Sequence, residues 1–119
     1  MRLSEELRTR SKAFASEIVR LFVRLPRARD EVRILGRQML RAGTSVASHV
    51  REASRARSDA EFCSKIGVLL QEADETQLWL ELLAEDCGIN DPAISACHSE
   101  AEELISIFVT IVSKVRKMN

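Results

Sequence analysis

The most constraining feature of the sequence is a set of four long segments in which apolar residues recur every three or four positions. This spacing matches the 3.6-residue period of an α-helix and puts the apolar side chains of each segment on one face. The predicted helices cover about residues 4–25, 30–57, 59–87 and 92–117. Because only short connections separate them, we expect an all-α, antiparallel, up-down-up-down four-helix bundle forming one domain over residues 1–119.

Local signals define the ends of these helices. Pro26 ends the first, and Asp30 is positioned as the N-cap of the second. Ser58-Asp59-Ala60-Glu61 is a capping box at the start of the third, and Gly88 fits a left-handed stop at its end. Pro92 suits the first turn of the fourth helix. The second and third helices are the longest by this interpretation, so we expect them to form a projecting hairpin.

Composition excludes several classes of protein. Aromatic residues make up only 4% and tyrosine is absent, which disfavours a β-sandwich or barrel. No stretch approaches the roughly 18–20 apolar residues of a membrane span, and the N-terminus lacks the apolar core of a signal peptide. Cys63, Cys87 and Cys97 are odd in number and widely spaced, which is typical of reduced thiols. We therefore expect a cytoplasmic protein without a membrane partner.

The net charge of zero conceals two oppositely charged halves. Residues 1–57 carry fourteen bases and six acids, a net +8, whereas residues 58–119 carry a net −8. Either a basic hairpin packs against an acidic one, within or between subunits, or the first half offers a basic face to nucleic acid. The candidate phosphate-contacting residues recur along helix 2 at Arg33, Arg37, Arg41, Arg51 and Arg55. The alternative is a solvated or salt-bridged face that meets Glu72, Asp74, Glu75 and Glu81 of helix 3.

Several apolar residues lie off the predicted core faces. They are candidates for an oligomer interface, with a wide core inside one chain as the alternative. Small residues on helix 2, Gly36, Gly43 and Ala47, would let another helix approach, helix 3 in the simplest case. The candidate interface residues are Val19, Val23, Leu78, Trp79 and Leu82.

Nothing in the sequence indicates catalysis or a cofactor. Glu72 and Glu75 are three residues apart, but the bundle metal sites that use this spacing pair Glu with His. His49 falls on an apolar face, where a hydrogen-bonded histidine is more common than a ligand. Cys97 and His98 are adjacent and therefore point in different directions on a helix. We predict no catalytic residue, no metal site, no cofactor and no enzymatic activity.

Six short segments of helices 2 and 3 are distinctive together: Gly36–Val46, Arg55–Ser58, Glu61-Phe62, Lys65–Gly67, Glu72–Thr76 and Trp79–Leu83. In these segments, and more loosely over the whole chain, the sequence resembles a bacterial four-helix-bundle family. That family includes the S23-like proteins encoded in intervening sequences of 23S rRNA genes and the accessory proteins of diversity-generating retroelements. The resemblance implies a compact antiparallel bundle that assembles as a homopentamer. The retroelement relatives bind nucleic acid and a reverse transcriptase through a basic surface.

This sequence departs from the family pattern at His49-Val50, where many relatives have Asn followed by Ile or Tyr, and in its neutral total charge. The sequence therefore predicts a non-enzymatic, homo-oligomeric assembly or interaction module of unestablished role. The alternative is a nucleic-acid-binding accessory protein that uses a basic face of helices 1 and 2. Its partners would be copies of itself, with RNA, DNA or another protein as further candidates.

Overall fold

The computed structural model describes residues 1–118, which form four α-helices and no strand. The helices are α1 (Glu5–Arg24), α2 (Asp30–Ser54), α3 (Asp59–Glu85) and α4 (Pro92–Met118). Each helix packs against two others, in the cyclic order α1, α2, α3, α4, whereas the diagonal pairs α1–α3 and α2–α4 have no Cα atoms within 8 Å of each other in residues 1–118. The bundle measures 50 × 20 × 20 Å. The predicted all-helical bundle is confirmed.

The predicted apolar faces form the core. The apolar period predicts an α3 face that is buried throughout, and the predicted faces of the other helices are buried or partly buried. The predicted α3 face consists of Phe62, Ile66, Leu69, Ala73, Thr76, Leu80, Leu83 and Cys87. Burial of this apolar surface is the main term that holds the four helices together. The largest fully buried side chains are Phe108, Ile18, Leu21, Met39, Ile66, Leu69, Leu80, Leu83 and Leu104.

The signals at both ends of α3 and at the start of α4 work as predicted. The Ser58 hydroxyl accepts a hydrogen bond from the Glu61 amide at 3.1 Å. Gly88 has a φ of +68°, the left-handed conformation that glycine adopts without strain. The Asp91 carboxylate accepts from the Ala93 amide at 2.9 Å, in the turn that contains Pro92. The two hydrogen bonds satisfy backbone amides that the start of a helix would leave unpaired, and the Gly88 conformation lets the chain turn away after α3.

Two predictions about helix 2 are wrong. Asp30 is the first helical residue rather than the N-cap, and Arg29 occupies the cap position without a side-chain hydrogen bond. The second and third helices do not project, because α4 has 27 residues like α3. The N-terminal residues also cover the α2–α3 turn, since the Arg2 amide donates to the Ser54 carbonyl at 3.1 Å.

The glycines of helix 2 lie against α1 and not against α3. A Cβ built on Gly36 would lie 2.8 Å from Leu25, and one built on Gly43 would lie 2.9 Å from Ile18. The expectation that these small residues serve the α2–α3 contact is therefore wrong. Across residues 1–118, no helix is both long enough and apolar enough to cross a bilayer.

Candidate interaction surfaces

The five candidate interface residues differ in how far they reach the surface. Val19 is 40% exposed, Val23 is 60% exposed and Leu78 is 46% exposed. Leu82 is partly buried. Trp79 is also partly buried and packs against the core of its own bundle, and its indole Nε1 is buried without a hydrogen-bond partner. Most of the Trp79 ring therefore belongs to the packing of one chain.

These residues form two separate patches, because α1 and α3 are diagonally opposite in the bundle. Val19 and Val23 make up the α1 patch. Leu78 and Leu82 form the α3 patch together with Ile34, which is 57% exposed and which the sequence analysis missed. The ion pairs that join α2 to α3 set an antiparallel register that brings Ile34 to the level of Leu82. The sequence signal for Ile34 is that it is an isolated apolar residue away from the predicted core face of helix 2.

Arg37 and Asp74 are charged residues of opposite sign near the patches, and Arg37 is also three residues from Ile34 on the same helix. Gly36 lies against Phe22 and Leu25, which places the next residue, Arg37, at the level of Val23. Asp74 precedes Leu78 by one helical turn on α3. Both Arg37 and Asp74 are exposed, and neither forms an ion pair within the described part of the chain.

Two of the five candidate phosphate-contacting arginines are engaged within the chain. Arg33 donates to the Asp30 carboxylate at 2.7 Å. Arg41 bridges Glu72 at 2.9 Å and Glu75 at 3.0 Å on α3. The salt-bridged alternative therefore describes Arg41. The pKa of the Arg41 guanidinium is raised, first by its hydrogen bond to Glu75 and then by the charge of Glu72.

The other three, Arg37, Arg51 and Arg55, are exposed and form no ion pair with any residue in the range 1–118. Arg51 and Arg55 are four residues apart at the end of α2, where they border residues of α1 and also Glu61 and Lys65 of α3. A duplex or a single strand could contact all three only along the outer surface of α1 and α2.

Arg51 and Arg55 also line a groove between the beginning of α1 and the end of α2, which we call the α1–α2 groove. The groove has a volume of about 430 Å³. Its other polar lining residues are Glu5, Arg8, Thr9, Lys12 and Ser54, and Met1 also lines it. No sequence pattern links Arg8, Lys12 and Ser54 to the two arginines, because the packing of α1 on α2 brings them together.

Ion pairs join the basic hairpin α1–α2 to the acidic hairpin α3–α4. Arg10 of α1 contacts Glu100 of α4 through two hydrogen bonds of 2.7 Å each. This contact lowers the pKa of the Glu100 carboxyl, with the Arg10 hydrogen bond as the largest cause. Arg24 donates to Asp91 at 2.9 Å and lowers the pKa of that carboxyl in the same way. The packing of the two oppositely charged halves within one chain is confirmed.

The remaining chemically versatile side chains are held in local contacts. Burial raises the pKa of the Cys97 thiol to about 11, so the nucleophilic thiolate is scarce at neutral pH. His98 contacts the Glu81 carboxylate at 2.8 Å, and His49 contacts the Ser45 hydroxyl at 3.0 Å. No cluster of three or more potential metal ligands occurs within residues 1–118.

These features define a small four-helix bundle that exposes two apolar patches and several charged residues without an ion pair on its outer surface. The family model described as "23S rRNA-intervening sequence protein" matches residues 5–110, and the chain belongs to that family. The comparison with curated proteins gave no match.

A solved structure is also similar to this chain. It is a crystal structure, at 1.70 Å resolution, of a protein with unknown function from the S23 ribosomal protein family of Bacteroides thetaiotaomicron VPI-5482. The two chains are 32% identical, with a TM-score of 0.81, and the similarity covers 89% of this chain and 97% of that chain. The resemblance noted in the sequence is confirmed at the level of the family.

Proposed function

We propose that this protein is a non-enzymatic module that assembles into a cyclic homo-oligomer, a pentamer by its resemblance to the family. One observation carries this proposal: the α1 patch and the α3 patch are both exposed and lie on diagonally opposite helices. Two different patches on one chain suit a head-to-tail contact, which closes into a ring when the rotation between neighbours allows it.

The flanking charges support a contact between unlike patches. Arg37 lies beside the α1 patch and Asp74 beside the α3 patch. A head-to-tail contact would bring these opposite charges together, whereas a two-fold contact of the α1 patch with itself would bring two copies of Arg37 together. Charge complementarity of this kind favours one pairing over others more than it adds affinity.

Single substitutions test the assembly. Val23→Glu in the α1 patch or Leu78→Glu in the α3 patch puts a charge into the contact at a position that is exposed in one chain, so each chain should fold but remain monomeric. Light scattering coupled to size-exclusion chromatography would measure the mass, and circular dichroism the helix content. Ser99→Glu, at an exposed position on α4, is the control and should keep the parent mass. A parent protein that is monomeric at high concentration would refute the proposal.

Mixing the two monomeric variants tests the head-to-tail geometry. A Val23→Glu chain keeps an intact α3 patch, and a Leu78→Glu chain keeps an intact α1 patch. An equal mixture should therefore form a dimer with one chain of each kind, while neither variant associates alone. If each patch instead paired with itself, each single variant would still form homodimers through its intact patch.

We propose nucleic-acid binding as a second candidate function, favoured by the absence of ion pairs at Arg37, Arg51 and Arg55 within residues 1–118. Phosphate contacts of this type release counterions, so affinity should fall steeply with salt. Binding of duplex RNA and DNA at about 50 mM salt, measured by fluorescence anisotropy, should weaken in Arg37→Glu with Arg51→Glu. Arg116→Glu on α4 is the control, and equal weakening by that variant would indicate attraction without a defined face.

A further inference from the structure

We infer that the α1–α2 groove binds a small oligophosphate anion, one with two or three linked phosphates. The inference is independent of the assembly proposal, because the groove lies at the end of the bundle formed by the start of α1 and the close of α2. It differs from the second candidate function in requiring a defined cavity rather than an extended basic face.

The charge of the groove favours an anionic ligand. Arg8, Lys12, Arg51 and Arg55 line it together with one carboxylate, Glu5. None of the four cations forms an ion pair within residues 1–118, although most other arginines of the chain are paired with a carboxylate. Four cations and one carboxylate leave the cavity with an excess of positive charge, which favours an anionic ligand, and the planar guanidinium matches phosphate oxygens in pairs.

A polar side chain in the same groove has no hydrogen-bond partner, which also favours a ligand. Ser54 is 3% exposed, and its buried hydroxyl makes no hydrogen bond within the described chain. Its backbone carbonyl, in contrast, accepts from the Arg2 amide. An unpaired buried hydroxyl costs free energy, and alanine at this position would avoid that cost. Ser54 lines the groove, and because its Oγ is closed off from solvent, a phosphate oxygen would meet this hydroxyl after the side chain turns toward the groove.

Size and lining identify the class of ligand. About 430 Å³ is within the roughly 300–1,000 Å³ of small-molecule sites and exceeds what one phosphate ion fills. No aromatic side chain lines the groove, so it offers no surface for stacking a base. The lining carries four positive charges and one negative, a balance suited to an anion with several charges. The groove is therefore built to hold the phosphate groups themselves.

Isothermal titration calorimetry with tripolyphosphate tests the inference. We expect one ion per chain, with affinity reduced about tenfold or more in Arg51→Gln and in Arg55→Gln, because each removes a charge-assisted contact. Arg27→Gln is the matched control: Arg27 is exposed, has no ion pair within residues 1–118 and lies at the opposite end of the bundle. Its affinity should equal that of the parent.

Ser54→Ala gives a readout that a purely structural role would not produce. The variant should unfold at the same or a higher temperature without ligand, because it removes an unpaired buried hydroxyl, yet bind tripolyphosphate several-fold more weakly. Three results would overturn the inference: no binding by the parent, an equal loss of affinity in Arg27→Gln, or parent-like affinity in Ser54→Ala. Duplex RNA can be added as a competitor of tripolyphosphate. If Arg27→Gln and Arg51→Gln weakened this competition equally, the result would also count against a defined site.

Discussion

Gly43 and Gly67 are both helical glycines, but their surroundings are opposite. A Cβ on Gly43 would lie 2.9 Å from both Cγ atoms of Ile18, closer than real carbon contacts, and Ile18 is fully buried. Ile18 is branched at Cβ and has little rotational freedom to move aside. A Cβ on Gly67 would meet nothing within 4 Å. The first glycine therefore sets how closely α1 approaches α2, whereas the second only adds backbone entropy to the unfolded chain.

We predict opposite effects of alanine at these two positions. Gly43→Ala should lower the free energy of unfolding by about 1–2 kcal/mol, because overpacking of about 1–3 kcal/mol exceeds the helix-propensity gain. Gly67→Ala should raise it by about 0.5–1 kcal/mol. Urea unfolding followed by circular dichroism would measure both at one protein concentration, since assembly would shift apparent stability. A Gly43→Ala protein as stable as Gly67→Ala would contradict the close approach of the two helices.

At the scale of elements, α1 and α4 form the least extensive of the four helix contacts, and ion pairs reinforce it. Arg10 meets Glu100 in the middle of this contact, and Arg24 meets Asp91 at its end. Both carboxyl groups have pKa values lowered by their arginine partners. A carboxyl with a lowered folded-state pKa stabilises the fold above its unfolded-state pKa, and that stabilisation is lost as the pH falls through the folded-state value.

Arg10→Gln should therefore reduce stability in a pH-dependent way. At pH 7 we expect the free energy of unfolding to fall by about 0.5–1 kcal/mol, the range of partly exposed ion pairs. The difference from the parent should shrink as the pH drops below the unfolded-state pKa of glutamate, about 4.3, and vanish once Glu100 is protonated in both proteins. Arg20→Gln is the control, since the ion pair of Arg20 within residues 1–118 is with Glu17 on its own helix. A difference independent of pH would assign the effect of Arg10 to packing.

Much of the element structure could be predicted because local signals determine it. The apolar period identified four helices, and Ser58, Gly88 and Pro92 marked their ends within a few residues. The sequence does not state which neighbour each helix face meets, so Gly43 was assigned to the wrong partner helix. The α1–α2 groove was missed for the same reason: its cations come from helices joined by a turn, and their convergence depends on the register between α1 and α2.

At the scale of the whole molecule, the opposite charges of the two halves have two consequences. Part of the charge is neutralised inside the chain by ion pairs such as Arg10–Glu100 and Arg41–Glu72. Charges left over after this pairing remain on the outer faces, Arg37 beside the α1 patch and Asp74 beside the α3 patch. Under the proposed head-to-tail assembly, these remaining charges select which patch meets which, while Val23, Leu78 and Ile34 provide the apolar contact.

A charge reversal tests this selection without touching an apolar residue. Arg37→Glu alone should weaken the assembly, because Asp74 of the neighbouring copy would then face a like charge, and Asp74→Arg alone should weaken it similarly. The double variant, with both charges reversed, should recover much of the parent affinity, since the pair is restored with exchanged signs. Sedimentation velocity at low and high salt would measure the association of the three variants. Screening by salt should reduce the differences in affinity between them. If the double variant were as weak as the sum of both single changes, Arg37 and Asp74 would not face each other, and the ring would have to close through other surfaces.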